Sequence, residues 1–394
     1  MTTATARRAV PAAATVAFLA TTADNFVLFL LLWVAQPQGW SGVQTAMVVL
    51  VLRLPTLVSG VLLGAAVDRW GARPLLLLDL TTRAALLLAM AFAGRSGTLP
   101  LPAVLVLGGV SGALSPATYT AVRWLLPRLV ATGEMARANA VVAVGDQLPL
   151  LVGTALVGPV LARVDAGVAL LVPAAMLVAA TVLAYRLPRP RVGPGFKERD
   201  DRETLPGVPR LQPRVVALVA LSTAYYFVYG PFETASPSFV RTRLDAGPGT
   251  YSLLWALFGV GAVATVALAP RLAGRRPGVV NAVGALAWGV VMLPVAVVDS
   301  VPLAVVLFLV GGAVWGPYTA VEVGALQRWV DPRRHGMVFG LQRSLLATAT
   351  PVGAAIGAVA LEVASPGTVL AASAGACALA GLLALSNRDL RRAR

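Results

Sequence analysis

Twelve long apolar segments, separated by short turns rich in arginine, constrain this chain more than any other feature. They fall at 12–35, 42–66, 74–94, 100–126, 138–162, 166–186, 214–240, 249–271, 277–298, 301–328, 337–363 and 366–386. Each reaches the roughly 20 residues that an α-helix needs to cross the hydrocarbon of a bilayer. Backbone polar groups inside lipid must be satisfied within the segment, so such a chain folds as helices. Of its residues 58% are hydrophobic and 12% are charged, against about 25% charged in soluble domains. The expected fold class is all-α integral membrane. The first segment is too long for a signal peptide's apolar region, is interrupted by Asp24 and lacks an A-x-A exit, so it reads as a retained span.

The net charge of +15 is a topology signal. Turns that follow odd-numbered spans hold Arg95, Arg163, Arg241 and Arg243, whereas the opposite ends carry Arg7 and Arg8, Arg69 and Arg73, Arg275 and Arg276, Arg333 and Arg334, and the tail "NRDLRRAR". The positive-inside rule then places both termini in the cytoplasm. Nucleic acid is not needed to explain the basic excess. The segment "LPRPRVGPGFKERDDRETLPGVPRLQ" is Pro-rich and densely charged, a composition that disfavours a packed core. It reads as a cytoplasmic linker, 187–212, between a six-helix bundle at 1–186 and another at 213–394. Single Cys377, in apolar surroundings, excludes an internal disulfide, and single His335 sits beside arginines in a polar turn. No nucleotide loop, metal-ligand cluster or nucleophile–histidine pair is present, so an enzyme is not expected.

An internal repeat supports duplication. "YTAVR" at Tyr119–Arg123 returns as "YTAVE" at Tyr318–Glu322, at the ends of the fourth and tenth spans, with Ser115-Pro116 and Gly316-Pro317 just upstream. Two pseudo-symmetric six-helix bundles fit a transporter that rocks about a site between its halves.

The turn between spans two and three reads "GAAVDRWGARP". It resembles the signature of the major facilitator superfamily, G-x-x-x-D-R-x-G-R-[RK], at Gly64, Asp68, Arg69, Gly71 and Arg73, with a slip of one position at Ala72. The resemblance implies twelve transmembrane helices in that fold and a cytoplasmic gate at this turn. In that family the turn latches the cytoplasmic ends in the outward-facing state; an ordinary charged turn is the plain alternative. Span five ends "GTALVGPVLA", which is similar to the drug:proton antiporter motif G-x-x-x-G-P-x-x-G-G at Gly153, Gly158 and Pro159, with one residue added and the trailing glycines missing. Small residues at such spacing also serve simple helix packing. "SPATYTAVRWLLPRLVATGEMARANAVV" resembles the macrolide, Tap-like and siderophore exporters of the superfamily.

Ionisable residues at membrane depth are functional candidates. Asp24 and Arg53 lie near the centres of spans one and two, so they are expected to pair, either as a fixed structural link or as a switch opened by a proton on Asp24. Asp79 and Arg83 are spaced i, i+4 on span three and read as structural. Arg123, near the cytoplasmic end of span four, is expected to snorkel or meet the Asp68 turn. Glu233 shares a helix face with Tyr226 and Tyr229, and Gly230-Pro231 is expected to break that helix. Glu322 repeats the pattern with Trp315 and Tyr318. Spans one, four, seven and ten line the central cavity of the superfamily, so the resemblance places Asn25, Tyr119, Tyr226, Tyr229, Trp315 and Tyr318 there. Rings beside a carboxylate suit an amphipathic, often cationic ligand; plain aromatic packing is the alternative. Asp146, on the face of Gly153, is a further acid for proton coupling or for helix capping. The proton-coupling order is Asp24 first, then Glu233, Glu322 and Asp146.

The expected protein is a monomeric, proton-coupled exporter of hydrophobic or amphipathic small molecules such as drugs or natural products. It uses no cofactor beyond the proton and sits in the bilayer of the bacterial cytoplasmic membrane. A dedicated exporter of one metabolite, such as a siderophore or self-made antibiotic, and a lysophospholipid flippase are the alternatives.

Overall fold

A computed structural model describes residues 3–129, 135–187, 211–273, 276–331 and 335–392. Helices α1 (Thr3–Ala35), α2 (Gly42–Arg53), α3 (Pro55–Trp70), α4 (Ala72–Ala93), α5 (Leu101–Leu114), α6 (Pro116–Leu129), α7 (Met135–Leu161), α8 (Ala166–Ala169) and α9 (Leu171–Arg186) form the N-terminal bundle. The C-terminal bundle holds α10 (Pro213–Thr242), α11 (Pro248–Val266), α12 (Ala269–Ala273), α13 (Pro277–Met292), α14 (Val301–Trp315), α15 (Tyr318–Trp329), α16 (His335–Ala360), α17 (Pro366–Ser386) and α18 (Arg388–Arg392). Eleven helical stretches among the described residues are long and apolar enough to cross a membrane. The fifth expected span is carried by α7, whose apolar part is the shorter stretch Leu148–Leu161. Large apolar side chains such as Val58, Phe92, Val106 and Leu383 are exposed, as a lipid-facing surface requires.

Proline decides where spans bend. A proline lacks the N–H and crowds the carbonyl four residues back. Leu54-Pro55 divides span two, Ser115-Pro116 span four and Gly316-Pro317 span ten. The break at Gly230-Pro231 expected from the sequence does not occur: α10 runs unbroken through Pro231 and Pro237. Neighbouring groups explain the correction. The Glu233 carbonyl, which loses its helical donor to Pro237, accepts from the Ser236 hydroxyl at 2.8 Å. Thr350 of α16 donates to the Tyr226 carbonyl at 3.2 Å, one residue before the Phe227 carbonyl that Pro231 leaves without its helical donor. Such repairs let prolines persist in transmembrane helices.

The halves meet along α7 against α11 and α2 against α16. Small residues permit close approach at one end. A Cβ at Gly158 would strike the Pro248 carbonyl, and one at Gly42 the Ala358 carbonyl. The Gly158 amide donates to the Ser252 hydroxyl at 2.6 Å, and the Val43 amide to Glu362 at 3.1 Å. Arg241 donates to Gln36 at 3.2 Å and to the Trp33 carbonyl, with its guanidinium 3.8 Å from the centre of the Trp33 ring. Phe29 and Trp33 of α1 pack on Tyr251 and Trp255 of α11. All these contacts lie at the membrane end opposite the one where α9 finishes and α10 begins.

Candidate functional site

A cavity of ≈ 690 Å³ lies between the halves. In the C-terminal half its wall descends α16 from Pro351 and Thr350 through Leu346 and Arg343 to Phe339, towards the end where α10 begins. Asp24, Asn25 and Arg53 line the N-terminal side, and Tyr226 reaches it from α10.

Asp24 does not pair with Arg53. Its carboxylate takes the Arg83 guanidinium of α4 and accepts from the Ser115 hydroxyl at 3.3 Å. Arg83 also lies 3.6 Å from Asp79, one turn back on its own helix, and 3.4 Å from the Ser111 hydroxyl. Asp79 accepts from Thr118. Arg83 therefore serves two acids, of which Asp24 is 39% exposed towards the cavity and Asp79 is fully buried. Helices α1, α4, α5 and α6 hold this network inside one half.

Arg53 turns to the other half. Its guanidinium lies 3.3 Å from Glu233 of α10. Glu233 is 1% exposed and its second carboxylate oxygen has no hydrogen-bond partner among the described residues. The Leu54-Pro55 break leaves Arg53 in the last turn of α2, where its carbonyl accepts from Thr56 at 2.6 Å. The expected Asp24–Arg53 pair is thus replaced by Asp24–Arg83 and Arg53–Glu233. The height of each residue along its helix was readable, but the direction it faces was not.

The aromatic residues divide. Tyr226 lines the cavity and its hydroxyl lies 2.9 Å from that of Thr319. Tyr229, Trp315 and Tyr318 are not on the cavity wall; they join an interior cluster around Tyr225, whose ring stacks on Trp315 at 4.5 Å and on Tyr318 at 4.2 Å. Tyr318 also borders a separate apolar groove of ≈ 550 Å³ between α11, α13, α14 and α15. Glu322 is buried, off the cavity wall. Neither of its oxygens has a hydrogen-bond partner among the described residues, although Ser222 and Gln342 flank it. Asn25 lines the cavity while its amide donates back to the Thr21 carbonyl at 2.9 Å.

Tyr119 touches the cavity through Arg343, a residue that sequence reasoning missed although its charge inside the eleventh apolar segment was the available signal. Arg343 donates to the Tyr119 hydroxyl and lies 4.1 Å from the centre of that ring. This contact joins the two halves, as Arg53–Glu233 also does.

In the turn between α3 and α4, Gly71 has φ 85, a backbone conformation that favours glycine. Arg73 donates to the Tyr185 carbonyl of α9, and Arg69 is exposed. The side chains of Gly64, Asp68, Arg123 and Asp146 lie outside the described residues. Gly153 packs against the α1 backbone at Thr22, Gly158 against α11, and Pro159 is exposed. Cys377 is buried and donates to the Ala285 carbonyl at 3.3 Å.

Two bundles of helices long and apolar enough to cross a membrane, enclosing a mostly apolar cavity with a few polar and charged side chains, define a membrane transporter. The chain belongs to the Major Facilitator Superfamily, whose sequence profile matches residues 13–321. It is 27% identical over 317 residues to an uncharacterized MFS-type transporter, y4rN, of Sinorhizobium fredii, covering 78% of this chain and 77% of that one. It is 25% identical over 338 residues to the multidrug efflux pump Tap of Mycolicibacterium fortuitum, covering 82% and 81%. Among solved structures, a point mutant of the nucleoside transporter NupG superposes with a TM-score of 0.76 at 13% identity, over 95% of this chain and 98% of that one. That likeness concerns the fold. Family and structural neighbours alike are transporters.

Proposed function

We propose that this transporter is a proton-coupled exporter of hydrophobic or amphipathic small molecules in the bacterial cytoplasmic membrane. It works as a monomer, with both termini in the cytoplasm and the proton as its coupling ion. The halves 1–186 and 213–394 rock about the cavity, tethered by the 187–212 linker. The likeness to a multidrug efflux pump supports the direction and substrate range. The placement of arginines supports the orientation, under which the cavity opens inward.

The observation that carries the reading is the ion pair between Arg53 and Glu233, which belong to different halves. Asp24 and its cation Arg83 belong to the same half and move together. Opening the closed end separates Arg53 from Glu233. A buried carboxylate deprived of its cation costs about 3–5 kcal/mol, so Glu233 takes up a proton from the outside when the ends part. Return to the inward state brings Arg53 back, and the proton leaves through the inward-open cavity. Substrate binding drives the opposite stroke. One proton then enters for each export cycle.

The test is proteoliposome transport under an imposed pH gradient. Glu233→Gln is expected to abolish gradient-driven transport while substrate exchange without a gradient continues. Gradient-driven transport at the wild-type rate in Glu233→Gln would overturn the assignment.

A further inference from the structure

We infer that the central cavity selects amphipathic organic anions, and that Arg343 anchors their acidic group. The inference rests on the proposed function only in taking the cavity as the substrate site.

Among the described residues three charged side chains line the cavity: Asp24, Arg53 and Arg343. Asp24 is already neutralised by Arg83 and hydrogen-bonded by Ser115. Arg53 is engaged by Glu233. Arg343 is different. The described residues give it a neutral phenol, Tyr119, and no carboxylate. Arg343 is exposed on the cavity wall near the start of its apolar span, and with only a phenol as partner among the described residues it retains its capacity for a charge-assisted pair. Guanidinium presents a planar fork that matches carboxylate and sulfonate oxygens.

Among the described residues the wall carries one carboxylate, Asp24, and that one is already paired with Arg83. Tyr229, Trp315 and Tyr318 face into the aromatic cluster of the C-terminal half, so they form no cage about the cavity. Glu233 and Glu322 are buried behind it. Leu28, Leu52, Leu87, Phe339 and Leu346 supply the apolar surface for the body of a ligand. The volume of ≈ 690 Å³ lies within the range of about 300–1,000 Å³ usual for drug-sized ligands. The anion displaces the Tyr119 hydroxyl from Arg343, so binding also undoes a contact between the halves.

The experiment uses the full-length protein in zwitterionic-lipid nanodiscs, with empty nanodiscs to subtract partitioning. Two probes share one body and differ in charge: pyrenebutyrate and pyrenebutyltrimethylammonium. Binding is read as energy transfer from the protein's tryptophans to pyrene. The anion is expected to bind at least about ten-fold more tightly than the cation, the scale of one charge-assisted hydrogen bond. Arg343→Gln should remove that preference without weakening the cation, Arg343→Lys should retain part of it, and both variants should keep the wild-type melting temperature within a few degrees. Tighter binding of the cation, equal weakening of both probes in Arg343→Gln, or binding of neither probe overturns the inference. Because binding is read at equilibrium without a gradient, a failure of proton coupling leaves this result standing, and the converse also holds.

Discussion

At the centre of the N-terminal half, Asp24, Arg83 and Asp79 form an ionic chain across α1 and α4, braced by Ser111, Ser115 and Thr118. At the centre of the C-terminal half the interior is aromatic: Tyr225, Trp288, Trp315 and Tyr318 stack face to face or edge to face, and Glu322 lies beside them without a cation among the described residues. Both halves derive from one repeated plan, and the repeat shows how far they have diverged. Tyr119 and Tyr318 occupy matching places just after a proline break. Tyr119 meets Arg343 of the other half, whereas Tyr318 stacks within its own. The proline break is shared by the two stretches, and the contact made by the tyrosine after it is not. The physical consequence is a division of labour. Ring packing holds the C-terminal half by dispersion and burial, which tolerate small shifts. The ionic chain tolerates few, because a guanidinium in the interior must keep its acids.

The strongest way to break this contrast is Arg83→Met. Removing one member of a buried ionic network leaves the others uncompensated, at a cost of about 3–5 kcal/mol. The variant is expected to give the largest fall in melting temperature of the three proposed here, read by scanning fluorimetry in detergent. Neutralising the acids as well, in Asp24→Asn/Arg83→Met/Asp79→Asn, should recover much of the loss. A single variant as stable as the wild type would mean that the N-terminal half is held by packing alone, like its counterpart.

That network also marks the limit of what the sequence made legible. Twelve spans, two bundles and the superfamily follow from hydropathy, the repeat and the Asp68–Arg73 turn, because length and apolarity act locally. Depth follows too, since Asp24, Arg53 and Arg83 all lie near the middle of the apolar segments 12–35, 42–66 and 74–94. Rotation about each helix axis does not. Arg53 and Arg83 were equally eligible partners for Asp24, and only the packing of α1 against its neighbours turns Asp24 to Arg83 and leaves Arg53 for Glu233. The same holds for the rings. Helical spacing put Tyr226 and Tyr229 on one side of α10, yet Tyr226 reaches the cavity and Tyr229 meets Trp255 and Trp315. The helix runs unbroken through Pro231 against α16, whose Gly353 packs on the Phe227 carbonyl, a tertiary contact that no local rule supplies.

The aromatic half is probed by Trp288→Phe. Trp288 is fully buried against Tyr225, Phe232 and Trp315, and its indole N–H has no partner among the described residues. Phenylalanine keeps an aromatic ring and removes that unsatisfied donor, while leaving a small void. The expected loss is about 1–2 kcal/mol, smaller than for Arg83→Met, with gradient-driven transport kept. A loss as large as that of Arg83→Met would show that the cluster is as intolerant as the ionic chain, and the division of labour would fail.

The smallest effect is expected at Glu322, where the contrast is sharpest. Glu322 is as deeply buried as Asp79, but it contacts no cation among the described residues and does not reach the cavity. Glu322→Gln preserves shape and removes the ionisable group. Because no charged partner is left behind, the change in stability should stay within about 1 kcal/mol, and transport driven by a pH gradient should persist, unlike in Glu233→Gln. The two glutamates thus separate by their partners: one is tied across the halves to Arg53, and the other lies beside the aromatic cluster of one half with no cation among the described residues. Loss of gradient-driven transport in Glu322→Gln, with melting temperature unchanged, would place a second proton carrier in the C-terminal half and make the aromatic cluster part of the coupling path.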